Sequence, residues 1–220
     1  MYVNKQRRLT RRESQEATRA RLIEAAEKIF IRFGFDASSV ERIAEAAGFS
    51  RGAFYSNFQN KDELFIEVLN KRRLEIAGAL DEIFRREPNA AERLRAVRDW
   101  YVNQEQPAGW IILRTEFALR ALRNRTVRAR LAGLRREELE KYSALVTQHY
   151  SEARLAMADR PETIALSLLA TVEGLGSLSL IETDGDAPDR FAEARRLVFN
   201  RLIGVEKAGT AAEKRNRKDE

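Results

Sequence analysis

Residues 40–58 read VERIAEAAGFSRGAFYSNF, and the spacing inside this stretch decides the fold. A helix-turn-helix crosses two short helices at a steep angle, with a glycine in the turn and a small residue where the helices touch. Ala44 supplies the small contact, and Gly48, four residues on, can take a positive φ without a Cβ penalty. Ile43, Ala47, Phe49 and Phe54 supply the apolar side that fastens the second helix. The outward residues of that helix are then Arg51, Gly52, Ala53, Tyr55, Ser56 and Asn57. Small side chains permit close approach to a groove, while Arg, Tyr, Ser and Asn can bond phosphates or base edges. An Ala-x-x-x-Gly spacing alone fits two ordinary helices of a bundle as well. The flanking sequence separates the two readings.

Upstream, Thr10 and Glu13 have capping-box spacing and open a helix with the stripe Leu22, Ile23, Ala26, Ile29, Phe30 and Phe33. Gly34 follows as its C-terminal cap. Ser38 and Glu41 form a second capping pair, predicting a short helix through Ala47. Ser50 caps a third helix, Arg51–Phe58, and Asn60 with Glu63 caps a fourth. Unbroken to Arg85, the fourth would be on the order of 37 Å long.

Downstream, Pro88, Pro107 with Gly109, and Pro161 punctuate a helical pattern. Helices are expected over Ala90–Gln104, Trp110–Arg123, Thr126–Met157, Glu162–Ile181 and Asp189–Val205. The expected fold is all-α, with about nine helices. A three-helix helix-turn-helix domain occupies 10–60 and a helical bundle occupies 61–205. Flexible charged tails are expected at 1–9 and 207–220.

The chain has 220 residues, 44% hydrophobic and 34% charged, with 11 glycines and 4 prolines, a balance that suits long amphipathic helices. A net charge of +6 permits a polyanionic partner and equally suits a solvated surface. The absence of cysteine removes disulfides, thiol catalysis and thiolate metal sites, and is compatible with the cytoplasm expected here. No apolar run of about 18 residues is present, so no membrane partner is expected, and the basic N-terminus lacks the apolar stretch of a signal peptide. No enzyme is expected. The single histidine, His149, has no Gly-x-Ser-x-Gly elbow, no HExxH and no phosphate loop to accompany it. No metal and no cofactor are expected.

The run Thr18–Leu69, and within it AEKIFIRFGFDASSVERIAEAAGFSRGAFYSNFQNKDELF, resembles the DNA-binding domain of the TetR family of regulators. The remainder matches in helix count and lengths. The resemblance implies that Ser38 and Ser39 stand where the family's hydroxyls touch phosphate as the second helix opens. Arg51, Gly52, Ala53, Tyr55, Ser56 and Asn57 fall on its recognition helix. Tyr55 resembles the family's phosphate-contacting tyrosine, against a partly buried core role. Lys61 resembles the lysine that reaches the backbone, against a solvated one. Ala53 offers only a methyl, so base preference is not legible. The basic residues Lys5, Arg7, Arg8, Arg11 and Arg12 suit either a groove-following arm or a plain charged tail.

For the rest of the chain the resemblance implies a homodimer and an effector cavity. The last two long helices would pair with their mates through Leu168, Val172, Leu175, Leu178, Leu197 and Leu202, against burial within the monomer. Candidates to line the cavity are Trp100, Tyr101, Trp110, Leu113, Phe117 and Tyr142, all of which also suit plain core. They suggest an apolar or aromatic effector. Glu116 and Glu173, set in apolar sequence, would meet a cationic ligand or pair with a nearby arginine. The expected function is a transcriptional regulator, by default a repressor, that binds a palindromic double-stranded operator and is released by a small molecule. Its two recognition helices would enter major grooves about 34–36 Å apart. The alternatives are a chromosome-organising DNA-binding protein of the same fold with no effector, and a helical protein adaptor.

Overall fold

The computed structural model describes residues 10–103, 106–183 and 185–203, and regular structure among them is helical. The described residues form nine helices: α1 (Arg11–Phe33), α2 (Val40–Ala46), α3 (Arg51–Tyr55), α4 (Lys61–Arg86), α5 (Ala90–Val102), α6 (Ala108–Arg123), α7 (Arg125–Glu152), α8 (Pro161–Ser179) and α9 (Ala187–Ile203). The tails expected at 1–9 and 207–220, with Lys5, Arg7 and Arg8, lie outside the described residues, as do the expected helix ends at Gln104 and Val205.

The caps explain most boundaries. The Thr10 hydroxyl accepts the Glu13 N–H, and the Glu13 carboxylate accepts the Thr10 N–H, completing the box that opens α1. α1 stops where Gly34 takes φ 76°. α2 begins one residue later than the sequence suggests. Ser39, not Ser38, is its cap, accepting the Arg42 N–H at 3.1 Å. Ser38 is buried, and its hydroxyl donates to the Gly34 carbonyl at 2.6 Å. At the other end of α2, Gly48 takes φ 77° and the Phe49 N–H reaches back to the Ala44 carbonyl at 2.8 Å, a Schellman closure that needs a glycine there.

α3 is capped by Ser50 but ends at Tyr55, short of the expected Phe58. The Ser56 hydroxyl donates to the Gly52 carbonyl and the Asn57 amide to the Ala53 carbonyl, so side chains compete for the main chain where the helix would continue. Asn60 accepts the Glu63 N–H and starts α4, while the Glu63 carboxylate takes the Gln59 N–H. At 26 residues α4 is about 39 Å long. α7 ends at Glu152 rather than Met157. Arg154 adopts φ 53°, and the Leu155 N–H closes onto the Tyr150 carbonyl. No glycine marks that stop.

Contacts divide the chain into two compact units. The first holds the described residues of Met1–Arg72 together with Ile112–Leu131. Its centre is a ring cluster: Phe35 lies 5.4 Å from both Phe30 and Phe65, and Phe65 stacks on Phe117 at 3.9 Å. Leu22, Ala26, Ile43, Phe54, Leu64 and Val68 complete a core closed to solvent. Burial of each large side chain stabilises by about 1.5–3 kcal/mol.

The second unit holds Arg73–Ile111 with the described residues of Ala132–Glu220, around Tyr101, Val102, Val146, Tyr150, Ile164, Phe199 and Ile203. The Tyr101 and Tyr150 hydroxyls donate to the carbonyls of Leu168 and Leu202, giving each buried phenol a partner. Burial pushes the Tyr101 pKa up to about 12. The contacts therefore do not divide at 60/61. The first turns of α4 and most of α6 belong with the helix-turn-helix, because Phe65 and Phe117 share its aromatic core.

Candidate nucleic-acid interface

One side of the α2–α3 corner is committed to packing. Ile43, Ala44, Phe54 and Phe58 are all buried. Arg19 of α1 fastens the end of α3 three ways. Its guanidinium lies 4.2 Å over the Phe58 ring, donates to the Asn57 carbonyl at 2.7 Å and pairs with Glu67 of α4 at 2.8 Å. Arg21 lies over Phe49 in the turn.

The other side is open. Arg51, Gly52, Tyr55 and Ser56 are exposed, with Ala53 and Asn57 half-buried beside them. Tyr55 keeps 48% of its surface in solvent, its ring edge-on to Phe54. Arg51 lies over the Tyr55 ring and pairs with Glu41 of α2 at 2.9 Å. Ser39 is exposed at the start of α2. The face thus joins a guanidinium, a phenol and hydroxyls to two residues too small to hold a neighbour away, which suits it to a phosphate-lined groove. The Asn57 Oδ1 is buried without a hydrogen-bond partner among the described residues.

A family model described as bacterial regulatory proteins, tetR family, matches residues 22–68, the segment that builds this corner. Over these residues the chain matches the TetR family. Two relatives are named as HTH-type regulators. The chain is 40% identical over 74 residues to the HTH-type transcriptional regulator YwcC of Bacillus subtilis, covering 32% of this chain and 33% of YwcC. It is 28% identical over 184 residues to the HTH-type transcriptional repressor Rv1474c of Mycobacterium tuberculosis, covering 84% of this chain and 92% of that one. A crystal structure of a TetR-family regulator from Cytophaga hutchinsonii shares the fold with a TM-score of 0.68 at 16% identity, covering 89% of this chain and 98% of that one.

Two residues that the family resemblance marks for phosphate are engaged elsewhere in this chain. Ser38 is buried and bonded to Gly34, so it does not reach a surface. The Lys61 ammonium donates to the carbonyls of Phe35 at 2.6 Å, Ser38 at 2.9 Å and Asp36 at 3.3 Å, and sits over the Phe35 ring. Burial lowers its pKa below the ordinary lysine value, against the pull of Asp36 and Asp62. Lys61 clamps the 35–38 loop, a role its place in the sequence does not disclose.

The residues expected to line an effector cavity fall into both units. Leu113 and Phe117 are core of the first, and the Glu116 carboxylate there accepts the Phe35 N–H at 2.9 Å. Trp100, Tyr101, Trp110, Tyr142 and Glu173 lie in the second. Tyr101 is spent in its core. Glu173 pairs with Arg135 at 2.7 Å, and Arg135 also holds Glu138, which accepts the Tyr142 hydroxyl. Burial raises the Glu138 pKa, opposed by Arg135.

The expected interface residues also separate. Leu178 and Leu197 are exposed, at 47% and 56%, and Leu175 is half-buried. Leu168, Val172 and Leu202 are half-buried and pack against the core of their own unit. Leu166, Ala170, Gly174 and Leu178 of α8 stand at four-residue spacing and are all exposed. Leu168 is turned about 200° from Leu166.

Proposed function

We propose that this TetR-family regulator is a homodimeric repressor that grips a palindromic operator through two copies of α3 and lets go when a small apolar or aromatic molecule binds its second unit. The observation that carries the reading is α3 itself. Phe54 and the adjoining Phe58 are sunk in the core while Arg51, Gly52, Tyr55 and Ser56 face solvent, so the helix is held from one side and offered from the other. A two-fold dimer would present two such helices to successive major grooves, with Ser39 on phosphate. The exposed Leu166–Leu178 face of α8, with Leu197 of α9, supports pairing between copies. The ion pair of Glu173 with Arg135 disfavours that carboxylate as a counter-charge, which supports a neutral effector. α4 runs through both units and is the natural lever between effector and DNA. A DNA partner places the working protein in the cytoplasm.

The test is selection from a randomised duplex pool by the purified full-length chain. An inverted repeat with half-sites about 10 base pairs apart is expected, and Tyr55→Ala should weaken binding to the selected duplex. A pool that emerges with no enriched sequence would refute the proposal.

A further inference from the structure

Charge in the first unit is placed unevenly. Across 10–72, which builds the helix-turn-helix, eleven basic residues stand against ten acidic ones. Across 112–131, most of α6 and the first turns of α7, six arginines stand against the single carboxylate of Glu116. Among the described residues, most of the net positive charge of this unit therefore comes from the α6–α7 corner.

Carboxylates and carbonyls take up several cations of the helix-turn-helix segment, although Arg11, Lys28, Arg32 and Arg42 have no ion-pair partner among the described residues. In the helix-turn-helix segment, Arg51 pairs with Glu41, Arg19 with Glu67 and Lys71 with Glu27, while Lys61 is spent on carbonyls. At the corner, Arg123, Arg125, Arg128 and Arg130 are exposed, and none of their guanidinium groups has an ion-pair partner among the described residues. Arg120 anchors the corner. It bonds Asp62 at 2.6 Å and lies 3.9 Å from Asp36, which sets the last turn of α6 beside the start of α4 and the loop leading to Ser39. Arg123 and Arg125 follow this anchor within five residues of the chain.

Attraction to duplex DNA grows with the number of free cations that replace condensed counterions. We infer that the α6–α7 corner is a second DNA-backbone contact, in which Arg123, Arg125, Arg128 and Arg130 engage phosphates flanking the sequence under α3. This rests on the DNA-binding reading above. Leu119 and Leu122 are exposed on the same corner, so an anionic bilayer is the competing occupant. DNA is favoured because the arginines share a compact unit with α3.

The experiment measures binding of the full-length chain to a long random-sequence duplex by fluorescence anisotropy across a potassium chloride series. The alanine triple variant R123A/R125A/R128A should give a log-affinity against log-salt slope shallower by about 0.9 for each phosphate left without its arginine, and the lysine triple variant should keep the wild-type slope. Should the alanine triple melt early, the single variants R125A and R128A carry the test, each with a slope shallower by about 0.9. A slope equal to wild type in the alanine variants overturns the inference. So does an unchanged DNA slope with binding to phosphatidylglycerol vesicles that the alanine triple abolishes. A wild-type chain that ignores DNA sinks the regulator reading itself, whereas Tyr55→Ala weakening with the corner variants silent sinks only the second contact.

Discussion

The Glu116 carboxylate on α6 accepts the backbone N–H of Phe35 at 2.9 Å, one residue past the glycine that ends α1. The same oxygens bear on Gly34. A Cβ built there would stand 3.0 Å from Glu116 Oε1, on a backbone already at φ 76°. Glu116→Ala should lower the unfolding free energy by about 1–3 kcal/mol through the abandoned amide. Gly34→Ala should cost about 1–2 kcal/mol from its left-handed φ, before any clash with the carboxylate. The double variant should lose less than the sum, since removing the carboxylate relieves the close approach. Urea titrations of the four proteins check this.

Lys61 is expected to act on stability before it acts on DNA. Lys61→Met removes the donor shared by the Phe35, Asp36 and Ser38 carbonyls and should destabilise by about 1–3 kcal/mol in urea. At a temperature where the variant is fully folded, the salt dependence of its DNA binding should match wild type. A shallower slope with unchanged stability would return Lys61 to the phosphate contacts.

The two faces of α8 should respond oppositely to charge. Leu178→Arg, on the exposed face, should leave the melting temperature of the isolated chain close to wild type while sedimentation shows monomer in place of dimer. Leu168→Arg puts a charge at a half-buried position against the core of its own unit and should lower the melting temperature.

His149 gives stability a pH dependence of defined sign. It is buried, its Nε2 has no partner among the described residues, and burial with the nearby Arg93 lowers its pKa below 6.5. The unfolded chain therefore takes up its proton first as pH falls. The contribution is whole above about 6.5 and is lost as pH drops toward the folded value, by at most about 1.4 kcal/mol per pH unit. Glu138, whose pKa is raised above 4.5, acts with the opposite sign from about pH 4.5 upward. Comparing wild type with His149→Phe cancels Glu138. The wild-type midpoint should fall more steeply than the variant's between pH 7 and pH 5.

The helix-turn-helix is legible in the sequence because its determinants are local. Thr10 with Glu13, Gly34, Gly48, Ser50 and Asn60 each fix a boundary through a bond to a residue close in sequence, and all of these hold. The choice between Ser38 and Ser39 is not legible. Either can cap by spacing, and the decision falls to burial against the Gly34 carbonyl. The roles of Lys61, Glu116 and Phe117 stay hidden for a similar reason. Their partners lie 26, 81 and 52 residues away, so periodicity shows an apolar or charged position but not the neighbour it meets. The stop of α7 at Glu152 is hidden because an arginine takes the left-handed cap that usually belongs to glycine.

α3 holds five residues, too few to persist as an isolated helix in water. Its form is lent to it by Phe54 beneath, by Ser50 in front and by Arg19 behind, and none of these is among the exposed residues of α3 itself. Exposed positions carry little of the folding free energy, about half a kcal/mol or less apiece. The vocabulary at positions 51, 52, 55 and 56 is therefore free to drift while the mould that shapes it stays fixed. Descendants of this chain can change allegiance between target sequences without first relearning how to fold.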